Sequence, residues 1–263
     1  VRNVGFKDYW LPLYGQTISV TGLSDRWTYD ERSGTAYTAR PRAEDGWQQM
    51  ADFSAPTAAQ LREARGSTSP VAPYLDTSGV DRRVLNLATQ VTAQAETPFD
   101  KAIALQDYFT APTSGFTYSL QTAPGNGDDA LVEFLTAGKT GYCEQFAAAM
   151  AVMLRAVGVP ARVAVGFTGG TPDGDHRTIS TSDAHAWVEA WFPGHGWLIF
   201  DPTPLTDGRT IVPPYVAEAQ AEEAASAGAP TGADPADVPR PEPTPQAPPT
   251  PAPITPDVPV PAA

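Results

Sequence analysis

The chain has a single cysteine, Cys143, among 263 residues. That excludes an internal disulfide framework, although one thiol does not place a protein inside or outside the cell. Histidine is nearly as scarce: His176, His185 and His195 are the whole supply. Basic residues are outnumbered, 17 Lys and Arg against 30 Asp and Glu, and the net charge of −13 repels phosphate backbones. No basic stripe offsets this, so nucleic acid is excluded as a partner. No run approaches the ~18 apolar residues that a membrane span requires. Together with an opening Val1 instead of Met, this leads us to expect a soluble portion of a longer protein. Apolar residues make up 41% of the chain, enough for a real core and, at this length, one domain with a companion.

The scarce cysteine stands where a glycine-containing turn, Thr140-Gly141-Tyr142, gives way to a helical pattern. Phe146, Met150, Met153, Leu154 and Val157 recur at the spacing of a buried stripe, and Gly158-Val159-Pro160 ends it. Cys143 is therefore expected in the first turn of a buried helix. There, unpaired backbone N–H groups and the positive end of the helix dipole favour thiolate over thiol. A lone cysteine is more often a small buried hydrophobe, and the downstream pattern is what argues otherwise. Residues 182–192 read as a strand, Pro193-Gly194-His195-Gly196 as a tight turn, and 197–203 as a second strand. Such a hairpin brings the start of one arm beside the end of the other, making His185 and Asp201 neighbours. If the Cys143 helix packs across that sheet, thiol, imidazole and carboxylate fall in line as nucleophile, base and orienter.

Four ordered blocks carry a family resemblance: GYCEQFA, LRAVGVPARVAVGF, HAWVEAWF and GWLIFDPT. Over about residues 80 to 212 the chain resembles the transglutaminase-like superfamily. The resemblance implies a papain-like α+β fold, with the nucleophile on Cys143, the general base on His185 and the orienting carboxylate on Asp201. No cofactor and no metal-ligating residues are expected, and whether the activity depends on a metal stays open at this point. Of the competing histidines, His195 reads as a solvated residue at the hairpin tip, and His176 begins a strand with no acidic partner fixed by pairing.

Residues 1–66 contain short runs such as 16–20, 27–29 and 35–39, each bounded by Gly, Asp, Ser or Pro, the punctuation of a small β module. A short helix entered through Pro56 is expected to close that module. Trp10, Trp27 and Trp47 are expected to fill its core rather than bind ligand. Two helical patterns follow at 80–96 and 98–111, then a strand at 116–120. The acidic pair Asp128-Asp129 reads as helix capping, since the ligands of a calcium loop would alternate over a longer span, and Asp173-Gly174-Asp175 reads as a turn. A strand covers 161–167.

The last part differs in composition. Residues 216–227 are rich in Ala and Glu and read as a short solvated helix, whereas 228–263 hold 13 prolines. Such a tract cannot bury enough surface to offset its ordering entropy, so 217–263 are expected to form a disordered spacer whose removal leaves the core unaffected. The expected division is a β module at 1–66, a catalytic domain at 67–216 and a linker at 217–263. A branch with a leading β segment and a trailing Pro-rich tract resembles membrane-anchored bacterial proteins. That implies an extracytoplasmic location, flanking transmembrane helices outside this sequence, and protein or peptide substrates at the cell surface. The expected reaction is acyl transfer from a glutamine carboxamide through an acyl-enzyme on Cys143. The Cys143 backbone N–H is expected to be one oxyanion donor, with a second that the sequence does not identify. Peptide hydrolysis, deamidation and an idle binding cleft remain alternatives.

Overall fold

The computed structural model describes residues 1–31, 33–121 and 128–228. Most of the expected acidic loop before residue 128 and the Pro-rich tract after 228 lie outside the described residues. The fold is α+β, with antiparallel sheets and one short parallel pair. Five strands come first: β1 (Asp8–Leu11), β2 (Gln16–Thr21), β3 (Thr28–Asp30), β4 (Thr35–Arg42) and β5 (Gln48–Asp52). They form two small sheets, β1-β4-β3 and β2-β5, around a cluster of Leu11, Ala36 and Trp47. Trp47 fills that core as expected, whereas Trp10 stands on the outer face against Tyr37.

The main core is built by helices on a three-stranded sheet. Helix α1 (Ala58–Glu63) starts at Thr57, whose hydroxyl accepts the Gln60 N–H while the Gln60 side chain accepts the Thr57 N–H. This helix was expected in the β module. Its buried face, Ala58 and Leu61, belongs instead to the main core, because its two apolar positions find partners only there. A 3-10 turn (Ser69–Leu75) leads to α2 (Arg82–Val91), capped by Asp81, and α3 (Pro98–Thr110), capped by Thr97. Beyond β6 (Thr117–Tyr118), α4 (Asp128–Glu133) runs into a π turn that ends on Lys139 at φ 47°. Then come β7 (Thr140–Gly141), α5 (Cys143–Ala156), β8 (Ala161–Phe167), the hairpin β9 (Thr171–Asp173) and β10 (His176–Thr178), β11 (Ala184–Phe192) and β12 (Gly196–Phe200).

Strand β11 is the centre of the sheet β12-β11-β8, antiparallel to both neighbours. Ala186, Val188, Ala190 and Phe192 alternate onto the face covered by α5 and are buried there. Phe109, Phe116, Phe134 and Phe146 form one aromatic cluster with centroids 5.0 to 6.5 Å apart. Phe99, Phe192, Phe200 and Tyr215 form a second at 5.8 to 6.3 Å. The opposite face of the sheet is closed by polar and aromatic layers. Arg162 pairs with Glu189 at 2.7 Å, lies 4.3 Å over Trp197, and donates to Ser33 O in the β module.

Tyr215 in that second cluster opens a helix that runs past the expected end of the domain. Residues from 217 on were expected in a linker, but α6 (Pro214–Gly228) docks on the core. Tyr215, Val216 and Ala219 are buried, and the Tyr215 hydroxyl donates to Ile199 O at 2.8 Å. Glu218 accepts the Ala58 N–H at the start of α1, Glu222 pairs with Arg62 at 2.6 Å, and Gln220 donates to Asp107. The buried face of α6 is Tyr215, Val216 and Ala219, of which only Ala219 lies beyond residue 216, and residues 221–226 are exposed. Beyond residue 216 the docking rests on Ala219 and on the polar contacts of Glu218, Gln220 and Glu222, which an Ala- and Glu-rich composition does not reveal.

Candidate active site

Cys143 is the first residue of α5, and its neighbours in sequence set that position. Gln145 folds back so that its Oε1 accepts the Tyr142 N–H at 3.2 Å, occupying a donor that the helix start would leave orphaned. Gly141 makes room for this: a Cβ there would stand 2.7 Å from Gln145 Oε1 and 2.8 Å from the Phe134 ring. Phe146 ties the first turn into the aromatic cluster. Lys139, in the left-handed region, turns the chain out of the π turn, and its ammonium donates to Ser114 O. β7 then pairs in parallel with β6, setting Tyr118 opposite Gly141.

His185 lies on β11 opposite Gly166 of β8 and is 4% exposed. Its Nε2 is 2.9 Å from Oδ2 of Asp201, which is fully buried just past the end of β12. Asp201 also accepts the Thr203 N–H on Oδ1 and the Ile211 N–H on Oδ2, each at 3.1 Å. Three donors on one buried carboxylate hold it in place and offset the cost of burying it. With Nε2 committed to Asp201, the other ring nitrogen is left for Cys143, whose thiol is close enough to the imidazole for each to shift the other. The backbone N–H groups of Ala186 and Glu144 are near enough to the sulfur to favour its thiolate form. The donor at Ala186 follows from the sheet. The bonds Trp191 N–H to Pro160 O and Thr168 N–H to Asp183 O show that odd-numbered β11 residues turn toward β8. Even-numbered residues turn toward β12, which pairs no further than Val188 with Phe200. Ala186 is the next such residue, and its N–H is free for sulfur.

The electrostatics follow this geometry. Burial pushes the Cys143 thiol up, but the imidazole and the two backbone N–H groups outweigh it, and the thiol lies below its ordinary value. Burial pushes His185 down, and the bonds to Asp201 and Cys143 outweigh that in turn, raising it to about 9. Each partner favours the charged form of the other, so the arrangement supports a thiolate–imidazolium pair. Cys143 is half-buried, in contact with the core yet open on one side. Tyr118 stands near enough that the thiol's charge adds to burial in raising its phenol.

The structure brings Cys143, His185 and Asp201 together. It keeps the other histidines apart: His176 sits on the β9–β10 hairpin and His195 in the turn between β11 and β12. Contrary to expectation, His176 does have acidic partners, Asp173 at 3.2 Å and Asp175 at 3.1 Å. The tight hairpin returns the strand onto its own acidic turn. Among the described residues, no group of three or more His, Cys, Asp or Glu is arranged to hold a metal ion. Three contributors had no sequence signal: the N–H groups of Ala186 and Ile211, which are main chain, and Tyr118, whose run of residues signals only a strand.

The model of the transglutaminase-like superfamily matches residues 85–202, a span that contains all three site residues. A protein-glutamine gamma-glutamyltransferase of Pseudomonas aeruginosa is 47% identical over 90 residues, 34% of this chain and 13% of that protein. The uncharacterised protein YebA of Bacillus subtilis is 39% identical over 129 residues, 46% of this chain and 17% of that protein. The chain thus spans less than a fifth of either curated relative. Among solved structures, the periplasmic domain of TgpA from P. aeruginosa superposes with a TM-score of 0.59 at 28% identity, covering 74% of this chain and 65% of that one. A candidate cysteine protease of Cytophaga hutchinsonii superposes at 0.50 with 17% identity, over 78% and 73% of the two chains. At that identity it speaks for the fold alone.

Proposed function

We propose, given that residues 85–202 are a domain of the transglutaminase-like superfamily, that this protein is a cysteine acyltransferase acting on glutamine carboxamides of proteins or peptides. The observation that carries the reading is the convergence of Cys143, at the start of α5, on the His185 imidazole, whose Nε2 lies 2.9 Å from the buried Asp201 carboxylate, with thiol and imidazole each favouring the charged form of the other. In the proposed reaction the thiolate attacks the carboxamide carbon, forming a C–S bond as the carbonyl electrons move onto oxygen. The Cys143 backbone N–H stabilises that oxyanion at the helix start. As the oxyanion collapses, the C–N bond breaks and the His185 imidazolium gives its proton to the departing nitrogen, releasing ammonia. An acceptor amine then attacks the thioester and passes a proton to His185, and the thiolate leaves. Asp201 holds the ring orientation and stabilises its charged form throughout. A lysine amine yields an isopeptide crosslink, whereas water in its place yields deamidation or, at a peptide bond, cleavage.

We place this action outside the cytoplasm, at the cell surface, with membrane anchoring supplied by segments beyond this chain. The support is the likeness to a periplasmic domain; among the described residues no helix is long and apolar enough to cross a membrane. Mass spectrometry of a glutamine peptide incubated with the protein and a primary amine tests the reaction. Incorporation of the amine is expected. Deamidation or cleavage without incorporation would replace transfer by hydrolysis, and an unchanged peptide set across many sequences would favour the binding-module alternative.

A further inference from the structure

Beside His185, on the same face of β11, Trp187 lies two residues on, with a ring 6.3 Å from the imidazole at an interplanar angle of 29°. Like Trp47 and Trp191, it gives up a hydrogen bond to be where it is. The indole Nε1 is buried with no hydrogen-bond partner, an arrangement that costs about 1–3 kcal/mol. The ring is also too large for an ordinary neighbour. In the register, Gly166 faces His185 and Ala164 faces Trp187, so the indole leans diagonally across the strand onto Gly166. A Cβ at residue 166 would meet Trp187 Cη2 at 2.7 Å and Cζ3 at 3.3 Å. Both atoms belong to the outer ring of the indole. Gly166 is not in the left-handed region of backbone space. Glycine is therefore required there by the tryptophan and not by the strand.

We infer that Trp187 is a positioning residue for the proposed reaction: seated in the notch at Gly166, its indole forms a flat wall along the His185 imidazole. The wall fixes the ring plane, so that one nitrogen stays on the Asp201 carboxylate while the other meets the thiol, and it keeps water from competing for either bond. An imidazole held by hydrogen bonds alone can still tilt about its χ2, a broad and soft torsion. A stacked aromatic surface removes that freedom. On this reading the orphaned N–H is tolerated because the indole is the side chain broad enough to reach from β11 across Gly166. This inference rests on the proposed triad but not on the substrate assigned to it.

Alkylation of Cys143 by iodoacetamide needs no acyl donor, so it tests the wall separately from the reaction class. Trp187→Ala is expected to slow alkylation near neutral pH about tenfold or more, a fraction of what a general base contributes. It should also abolish the slowly exchanging downfield proton of the His185 imidazole in the NMR spectrum. Gly166→Ala should produce the same two changes by lifting the indole, with little loss of melting temperature. In a Trp187→Phe background the atoms that would collide are gone, so adding Gly166→Ala should cost less than about twofold. This non-additivity is the signature of direct coupling. Should Trp187→Ala fail to fold, the double-mutant cycle of Gly166→Ala with Trp187→Phe decides alone. Equal effects of Gly166→Ala in both backgrounds, or an unchanged imidazole proton and alkylation rate in Gly166→Ala, would overturn the inference. Loss of amine incorporation from every glutamine peptide, with the cycle behaving as expected, would instead count against the proposed substrate and leave the wall standing.

Discussion

The β module and the helical core treat apolar surface in opposite ways. In the module, full burial is limited to Leu11, Ala36 and Trp47, while Ile18 and Phe53 remain 64% and 74% exposed. In the core, Phe99, Phe109, Phe146, Phe192 and Phe200 are all sealed from solvent. A large apolar side chain contributes about 1.5–3 kcal/mol when fully buried, against about 0.5–1.5 kcal/mol net for a ladder hydrogen bond. The module is thus held mainly by strand pairing and the core by packing. The candidate triad sits wholly on packed elements: the start of α5, the middle of a sheet and the residue after β12. Chemistry that depends on fractions of an ångström belongs where side chains, and not just ladders, fix the backbone.

The sharpest break in that comparison is chemical. Cys143→Ala should lower turnover by up to ~10⁶ with the melting temperature unchanged, while Trp10→Ala, on the outer face of the module, should leave both as they were. Comparable activity in the alanine variant would end the covalent mechanism. Next in size is Asp201→Asn, expected to reduce turnover by about 10⁴. The same substitution shifts the pH profile in a direction set by the carboxylate. Burial lowers His185, and Asp201 together with Cys143 raises it to about 9, so activity that needs the imidazolium should fall as pH rises through about 9. Without the carboxylate, this descending limb should move to lower pH, and a limb that stays in place would show that Asp201 does not set the charge of the ring.

The third prediction concerns where the core ends. Stopping the chain after Pro213 removes Tyr215 from the aromatic cluster and Val216 from the core, and frees Arg62 from Glu222. Losses of about 1.5–3 kcal/mol for each large side chain, at about 2–4 °C per kcal/mol in a domain of this size, lower the melting temperature by on the order of 10 °C. Stopping after Gly228 should leave it unchanged. Equal melting temperatures for the two truncations would show that α6 adds nothing to the core, and residues 217–228 would then belong to the linker. The smallest effect is one of local opening: amides of β2 and β5 should exchange faster than those of β8 and β11, since few packed side chains resist their separation. Protection of the same order in both sheets would erase the distinction between the regions.

Much of the site was legible because it obeys local rules. The turn before Cys143, the stripe of Phe146, Met150 and Met153, and the short hairpin carrying His185 and Asp201 are each encoded within about twenty residues. The four blocks that carry the family resemblance lie in the same stretch. The placement of helices was less legible at its edges. Helix α1 was assigned to the module before it and residues 217–228 to the linker after it, since membership of a core depends on what a short apolar stripe meets.

By itself, the sequence determined the periodicity of α5, the hairpin geometry, the scarcity that left one thiol and three imidazoles to choose from, and the sign of the protein's field. These follow from spacing and composition, which act at short range along the chain. Tertiary structure alone decided the rest. It brought the Ala186 and Ile211 N–H groups toward the thiol and the carboxylate, set Tyr118 opposite Gly141 through a two-residue parallel pairing, seated Trp187 in the notch of Gly166, and docked α6 through Tyr215. Each of these joins main chain or small residues to partners on other segments, and neither a backbone N–H nor a missing Cβ has a pattern that a linear reading can detect.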